Sequence, residues 1–421
     1  MVGKESNAEE GRILFLDYLR ALAVLLVVWA HIFIVGVNNP ESMAPWLPAL
    51  TTNVFGSTAV FTNPHGQLAL FFVLKFGVSS GPVGVALFFL ISGFVILRSV
   101  DRISPISFLV QRAFRIFPTC ATVVIAVALL TGLYCTLTGT TQPHSLLSTI
   151  TSSFALSGFF QLQGTLPVLW SLTVELAFYL LIALAVASFG RLGFRALISM
   201  ALACLGGVGI LNSTDLGAVV SPRLWSQLIY ASTLLIHITF MLIGSALYRG
   251  FSDKRPRMAA IVSVFLFGIY VAAFELYRHL RGEVNIGAAP QDALAALVIM
   301  AAAFWAKLSW RWLRPLRFVA DISYPLYLVH TPIGWAVLVG FGTIGWNLHV
   351  AALGATLVCV VLSWMLHVWI ELPSQRLGKR LTRSRQTVPA TGVPVGARGK
   401  DELIAAIYED KAPGLTAAKG A

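Results

Sequence analysis

The sequence predicts an all-α fold, a polytopic membrane bundle of about ten transmembrane helices. Apolar residues make up 57% of the 421 residues and charged residues only 11%, whereas soluble proteins carry about a quarter charged residues. The mean hydropathy is +0.80. Apolar runs of about 20 residues, enough to cross a bilayer, recur along the chain. The net charge of +12 does not indicate a nucleic-acid partner, because the basic residues lie in short loops between these runs.

Taken in order, the apolar runs give the expected helices. We expect these at 13–37, 82–98, 118–137, 167–188, 193–211, 228–248, 259–277, 291–306, 318–340 and 348–370. The apolar stretch 68–76 is interrupted by Lys75 and is expected to be a short interfacial or re-entrant piece. The four cysteines show no metal-type spacing, so no metal site is expected.

Basic residues in the loops predict the orientation. One set of alternate loops holds Arg98, Arg102, Arg112, Arg115, Arg191, Arg195, Arg249, Lys254, Arg255, Arg257, Lys307, Arg311, Arg314 and Arg317. The opposite set holds only Lys75, Arg223, Arg278 and Arg281. Because basic loops remain on the cytoplasmic side, both termini are predicted to be cytoplasmic. Residues 1–12 are then a cytoplasmic N-terminal segment, 13–376 the membrane domain, and 377–421 a mostly disordered cytoplasmic tail.

The first helix carries two ionisable residues of particular interest, Arg20 and His31. They are eleven positions apart, which is roughly 20° past three helical turns and about 16 Å along the axis. Both side chains should therefore project from one face, as one wall of a polar channel. Ionisable groups inside a membrane span are costly and indicate function. The alternative is an Asp17–Arg20 ion pair within the helix, with His31 at an interface.

Two further stretches could bind a polar ligand. Ser92 and Gly93 interrupt the apolar second helix, where the hydroxyl could meet a ligand or the two small residues could serve helix packing. Arg112 and Arg115 lie three residues apart, in a cytoplasmic loop running into the third helix. Paired guanidinium groups suit phosphates through fork-like hydrogen bonds. The alternative is that these arginines only set the topology.

The fourth and ninth helices each contain one notable titratable group. Glu175 lies about one turn past Ser171 and could orient a histidine, hold a sugar hydroxyl, or form a structural bond between two helices. His330 lies about 12 residues into its helix, near mid-membrane, with Pro325 and Pro332 on either side. A single histidine in a span is more often a packing group, but the prolines favour a functional role for this one.

In this order, these stretches resemble the membrane-bound acyltransferase 3 family over residues 16–373. The matching motifs are an arginine followed after ten residues by a histidine (Arg20, His31), FF-x-x-SGF (88–94), R-x-x-R (Arg112, Arg115), W-S-L-x-x-E (170–175), S-Y-x-x-Y-L-x-H (323–330) and E-x-P (Glu371, Pro373). Leu372 stands where the last motif often has a basic residue. That departure concerns one cytoplasmic contact, such as a pairing of Glu371 with a loop arginine.

The resemblance implies a ten-helix integral-membrane O-acyltransferase, with a multi-pass location in a bacterial cytoplasmic membrane. It would move an acyl group, expected to be acetyl, from cytoplasmic acyl-coenzyme A to a hydroxyl of a carbohydrate, lipid-linked sugar or small molecule. Acyl-coenzyme A is thus the expected co-substrate, without a metal. The expected partners are this donor, the hydroxyl-bearing acceptor and membrane lipids, with no nucleic acid.

The resemblance also implies roles for individual residues. His31 would be the general base, with Glu175 or His330 orienting it or the acceptor. Arg20, Arg112, Arg115 and Ser92 would bind the donor. The main rival is a transporter or flippase for a polar solute, which midplane histidines and proline-broken helices also suit. A scaffold without catalysis is a third reading.

Overall fold

The computed structural model describes residues 13–35, 64–282, 287–305 and 313–383. These residues form helices and no strands, which confirms the all-α prediction. Three stretches with sequence-based predictions lie outside the described residues: the N-terminal segment 1–12, residues 36–63 after the first helix, and most of the tail, 384–421.

The first half of the chain begins with α1 at Leu14–Val28, which continues as a π-helix over Trp29–Val35. The following helices are α2 (Pro64–Phe76), α3 (Ser80–Val100), α4 (Pro105–Thr138), α5 (Leu146–Ser153), α6 (Leu169–Phe189), α7 (Phe194–Leu211) and α8 (Thr214–Val219).

The second half contains two long helices and then several short ones. They are α9 (Pro222–Ser252), α10 (Pro256–Arg281), α11 (Pro290–Trp305), α12 (Pro315–Asp321), α13 (Ser323–Val329), α14 (Pro332–Thr343), α15 (Leu348–Leu366) and α16 (Leu372–Arg383). A second π-helical segment, His367–Glu371, joins the last two.

Within the described residues, eight helices are long and apolar enough to cross a membrane. The predicted span at 318–340 corresponds to α12 followed by α13 and α14, and the last two meet at 58°. The bend immediately precedes Pro332, because proline has no backbone N–H to continue the hydrogen-bond ladder. The predicted span at 291–306 is the short apolar helix α11. The described part of the chain is therefore a polytopic helix bundle.

Two predicted boundaries differ from the structure. The predicted loop before Pro118 is helical, because Ser104 caps α4 by accepting the backbone N–H of Ser107 and Pro105 starts it. At the other end, α16 runs to Arg383, beyond the predicted tail boundary at 376. Its buried Gly378 and Thr382 face α4, where Gln111 donates to the Thr382 hydroxyl at 2.8 Å.

Helix α3 lies at the centre of the bundle and holds much of the site. It approaches α9 so closely at Gly93 that a Cβ atom there would overlap the carbonyl oxygen of Met241. The Ser245 hydroxyl donates to the Gly93 carbonyl at 2.9 Å across the same contact. At the predicted cytoplasmic end, buried Arg249 forms two hydrogen bonds to Asp101, at 2.9 and 3.2 Å. Gly93 thus serves helix packing, one of the two roles its motif allowed.

Candidate active site

A cavity of about 90 Å³ lies among α1, α3, α4, α6 and α13. That volume holds several waters. Five of the seven predicted site residues line it: Arg20, Ser92, Arg112, Arg115 and Glu175. Along α3 the cavity extends from residue 96 to residue 85, a length of about 16 Å. Residues far apart in sequence thus converge on one polar space inside the bundle.

The charge of this cavity is strongly biased. Its lining contains three guanidinium groups and one carboxylate, that of Glu175. Charges held in a low-dielectric interior interact far more strongly than charges in water. The cavity is therefore suited to an anionic ligand.

Arg112 is already engaged by the protein. Its guanidinium donates to the Ser99 hydroxyl at 2.8 Å and lies over two rings, 5.2 Å from the centroid of Phe108 and 5.4 Å from that of Tyr179. These contacts hold the inner end of α4 against α3 and α6. Arg112 therefore shapes the cavity as much as it charges it.

Arg115 and Arg20 are held less tightly. Arg20 pairs with Asp17 at 3.4 Å, the intrahelical pair considered as an alternative for it, yet it also lines the cavity. Arg115 makes no hydrogen bond or close ion pair with another residue in the part of the chain that the structure describes. Its guanidinium is the one best placed to bind a ligand anion.

Glu371 was expected to contact a loop arginine, but its nearest partners belong to its own helical run. His367 Nδ1 lies 2.7 Å from one of its carboxylate oxygens, and the Gln375 amide donates to the other at 2.9 Å. The departure at Leu372 leaves this cluster in place.

Glu175 connects two helices at the cavity wall. One of its carboxylate oxygens accepts from the Ser92 hydroxyl at 3.0 Å and from the Tyr179 hydroxyl at 2.6 Å. No hydrogen bond among the described residues joins Glu175 to His31 or His330. This position fits a structural bond between two helices, one of the three roles that the sequence allowed for Glu175. The Ser92 hydroxyl already donates to this carboxylate.

The two predicted histidines lie side by side. His330 Nε2 lies 3.3 Å from His31 Nδ1, and the ring centroids are 5.0 Å apart. His31 Nδ1 is also 2.9 Å from the Val27 carbonyl, and His330 Nδ1 is 2.8 Å from the Tyr327 carbonyl. Because a carbonyl oxygen only accepts, the Nδ1 atom of each ring carries the proton. His330 Nε2 is then a lone-pair acceptor facing the His31 N–H.

This arrangement leaves His31 Nε2 as a base. That atom has no hydrogen-bond partner among the described residues, and the His31 side chain is partly exposed while His330 is fully buried. If His31 gains a proton at Nε2, the ring becomes positively charged. The hydrogen bond from its Nδ1–H to the lone pair of His330 Nε2 then becomes stronger and stabilises that charge. The Trp335 indole also donates to the His31 backbone carbonyl at 3.0 Å and fixes the segment. The pair can therefore accept a proton from a hydroxyl.

Arg20 and His31 do not line one continuous wall, as the straight-helix prediction expected. Arg20 lies in the α-helical part of α1 and faces the cavity, whereas His31 lies in the π-helical segment and is not among the lining residues. Tyr327, from α13, lines the cavity and lies against His330, with ring centroids 5.6 Å apart. The sequence analysis included Tyr327 only as part of the motif at 323–330 and did not identify Tyr179 or Trp335 as site residues.

Comparison with known proteins identifies the family of the chain. The family model described as the acyltransferase domain of the acyltransferase 3 family matches residues 13–368. Nodulation protein 10 of Rhizobium leguminosarum bv. viciae is 28% identical over 335 residues, which cover 72% of this chain and 85% of that protein. No solved structure matches the chain. Since the family model covers most of its length, the chain belongs to the acyltransferase 3 family and is a membrane acyltransferase.

Proposed function

We propose that this protein transfers an acyl group, acetyl in the first instance, from acyl-coenzyme A to a hydroxyl. The acceptor is a carbohydrate, a lipid-linked sugar or a small molecule, and the donor enters from the predicted cytoplasmic side. The observation that carries the proposal is a cavity rich in arginine that ends one aromatic ring, that of Tyr327, away from His330. His330 is the partner of His31, whose Nε2 makes no hydrogen bond to any described residue.

The donor's shape suits the length and charge of this cavity. Arg112 lies at the inner end, beside Ser99, and Phe88 and Tyr327 lie toward the other. Phosphate groups docked on Arg115 at the inner end would let an extended pantetheine arm run along the roughly 16 Å of α3 that face the cavity. The thioester would then arrive at Tyr327, next to the histidine pair.

The transfer follows from the protonation of the two histidines. His31 Nε2 removes the proton from the acceptor hydroxyl while the oxygen of that hydroxyl attacks the thioester carbonyl carbon. The tetrahedral intermediate collapses by breaking the carbon–sulfur bond, and the proton on His31 passes to the departing thiolate to give the free coenzyme A thiol. His330 is the orienting residue, because its neutral Nε2 accepts the Nδ1–H of His31 throughout.

The proposal is tested with the purified full chain in sealed vesicles, supplied with acetyl-coenzyme A and a panel of hydroxyl acceptors. Thiol release that depends on acceptor, together with an acetylated product detected by mass spectrometry, supports it. Movement of an unmodified acceptor across the membrane, without thiol release from any acyl-coenzyme A, would contradict it and favour the transporter reading.

A further inference from the structure

The cavity and the histidine pair are separate spaces. Neither His31 nor His330 is among the residues that line the cavity, and His330 is fully buried. Tyr327 lines the cavity on one side and contacts the His330 ring on the other. The Tyr327 side chain thus stands between the cavity and the buried member of the pair.

Tyr327 is held in this position from two directions. Its hydroxyl and that of Ser171 are 2.7 Å apart, and its ring packs edge-to-face against Phe88 at 5.7 Å between centroids. Phe88 and Ser171 also line the cavity, from α3 and α6. Three helices therefore contribute to one partition at this end of the cavity.

The backbone of Tyr327 serves the histidine directly. Helix α13 ends at Val329, so the Tyr327 carbonyl is among its last-turn carbonyls, and it accepts the Nδ1–H of His330 at 2.8 Å. One residue thus sets the tautomer of His330 through its carbonyl and covers that ring with its side chain.

We infer that Tyr327, latched by Ser171, is a barrier that keeps cavity water from the histidine pair, so that the acyl group goes to the acceptor hydroxyl rather than to water. This inference rests on the proposed function. The donor's acyl arm displaces the Tyr327 ring and fills the passage in its place, and at other times the ring closes the passage, so cavity water is excluded from the pair in both states. Without the barrier, a water oxygen attacks the thioester carbonyl, the carbon–sulfur bond breaks, and the water protons go to the thiolate and the released carboxylic acid.

The first test measures the ratio of acceptor-independent thiol release to acyl transfer from acetyl-coenzyme A. Tyr327→Phe and Ser171→Ala remove the same hydrogen bond, which contributes about 0.5–1.5 kcal/mol, so each should raise the ratio roughly 2- to 10-fold. The double variant should be no worse than either single one, because both changes break the Tyr327–Ser171 bond; the other bond lost in Ser171→Ala, to the Val168 carbonyl, lies within its own helix end. Tyr327→Ala, which removes the ring, should raise the ratio most.

Tyr270→Phe is the matched control, since it removes a buried tyrosine hydrogen bond to the Ala288 carbonyl, 2.6 Å long, away from the cavity. It should leave the ratio unchanged. Additive effects of Tyr327→Phe and Ser171→Ala, or a wild-type ratio in Tyr327→Ala, would overturn the inference. Because it is a ratio within one sample, the readout is independent of how much of each variant folds.

A second measurement needs no turnover. Diethyl pyrocarbonate modifies accessible imidazole nitrogens, and peptide mass spectrometry reports each histidine separately. His330 should be protected in the wild type and in Tyr270→Phe, and modified several-fold faster in Tyr327→Ala. Equal protection in all three would reject the barrier. Increased modification without any acyl-coenzyme A turnover would keep the barrier and reject the proposed function.

Discussion

The arginine cavity and the histidine pair adjoin each other but are built from different bonds. In the cavity, Glu175 bonds to the side chain of Ser92 and Arg112 to that of Ser99. In the pair, each imidazole donates to a backbone carbonyl of its own helix. Side-chain partners can rearrange around a ligand, whereas a carbonyl within a helix holds a ring in one tautomer. The difference fits the proposed division of roles, in which the cavity binds the donor and the pair acts on the acceptor hydroxyl.

The largest effect should come from His31→Ala, which removes the base. The turnover number should fall roughly 10²- to 10⁴-fold, the usual contribution of a positioned general base, while the Michaelis constant for acetyl-coenzyme A stays near the wild-type value. Steady-state kinetics in vesicles measures both. His279→Ala, at an exposed histidine near the end of α10, is the control and should behave as wild type. A wild-type turnover number in His31→Ala would exclude the pair from the chemistry.

Arg115→Ala should give the opposite pattern. A hydrogen bond to a charged group contributes about 1.5–3 kcal/mol, so the Michaelis constant for the donor should rise roughly 10- to 150-fold with a smaller change in turnover number. Arg257→Ala removes an exposed arginine from the same predicted side and should change neither constant. An unchanged Michaelis constant in Arg115→Ala would leave that residue with a role in topology only.

His330 allows a finer test of the pair. His330→Ala removes the acceptor facing the His31 Nδ1–H and should lower the turnover number about 10-fold, since one bond to a developing charge is lost. His330→Gln keeps an amide oxygen able to accept and should recover part of that loss. The comparison of the two variants by steady-state kinetics distinguishes an orienting acceptor from a packing residue, which would give equal losses.

The smallest effect on chemistry, but a clear one on stability, should come from α3, the helix at the centre of the bundle. Gly93→Ala places a methyl group against the Met241 backbone and should lower the free energy of unfolding by about 1–3 kcal/mol. Gly268→Ala, in α10, meets no atom within 4 Å and should be neutral or stabilise by about 1 kcal/mol. Thermal unfolding in detergent compares the two. Equal midpoints would show that the α3–α9 contact tolerates separation.

The bundle and the arginine cavity were within reach of sequence reasoning. The apolar runs determine which residues cross the membrane. The motifs assigned Arg20, Arg112 and Arg115 to one common role, binding of the donor. The contacts between helices were not accessible in this way. Spacing along one helix does not report that Glu175 meets Ser92 or that His330 meets His31, because these partners are separated by 83 and 299 positions.

Departures from regular helix geometry account for the remaining differences. His31 lies in a π-helical segment and His330 immediately before the break at Pro332, so a straight-helix calculation does not describe either ring. In the sequence, the prolines on either side of His330 indicate that the helix is broken there. No comparable signal in the sequence marks the π-helical segment or the position of Tyr327 between the cavity and His330.

Direct binding of acetyl-coenzyme A to the two key variants tests the division between binding and chemistry most directly. Calorimetric titration of the full chain should give His31→Ala a dissociation constant within a factor of about two of wild type, with no acyl transfer. Arg115→Ala should bind roughly 10- to 150-fold more weakly. Weakened binding in His31→Ala together with wild-type binding in Arg115→Ala would contradict the account.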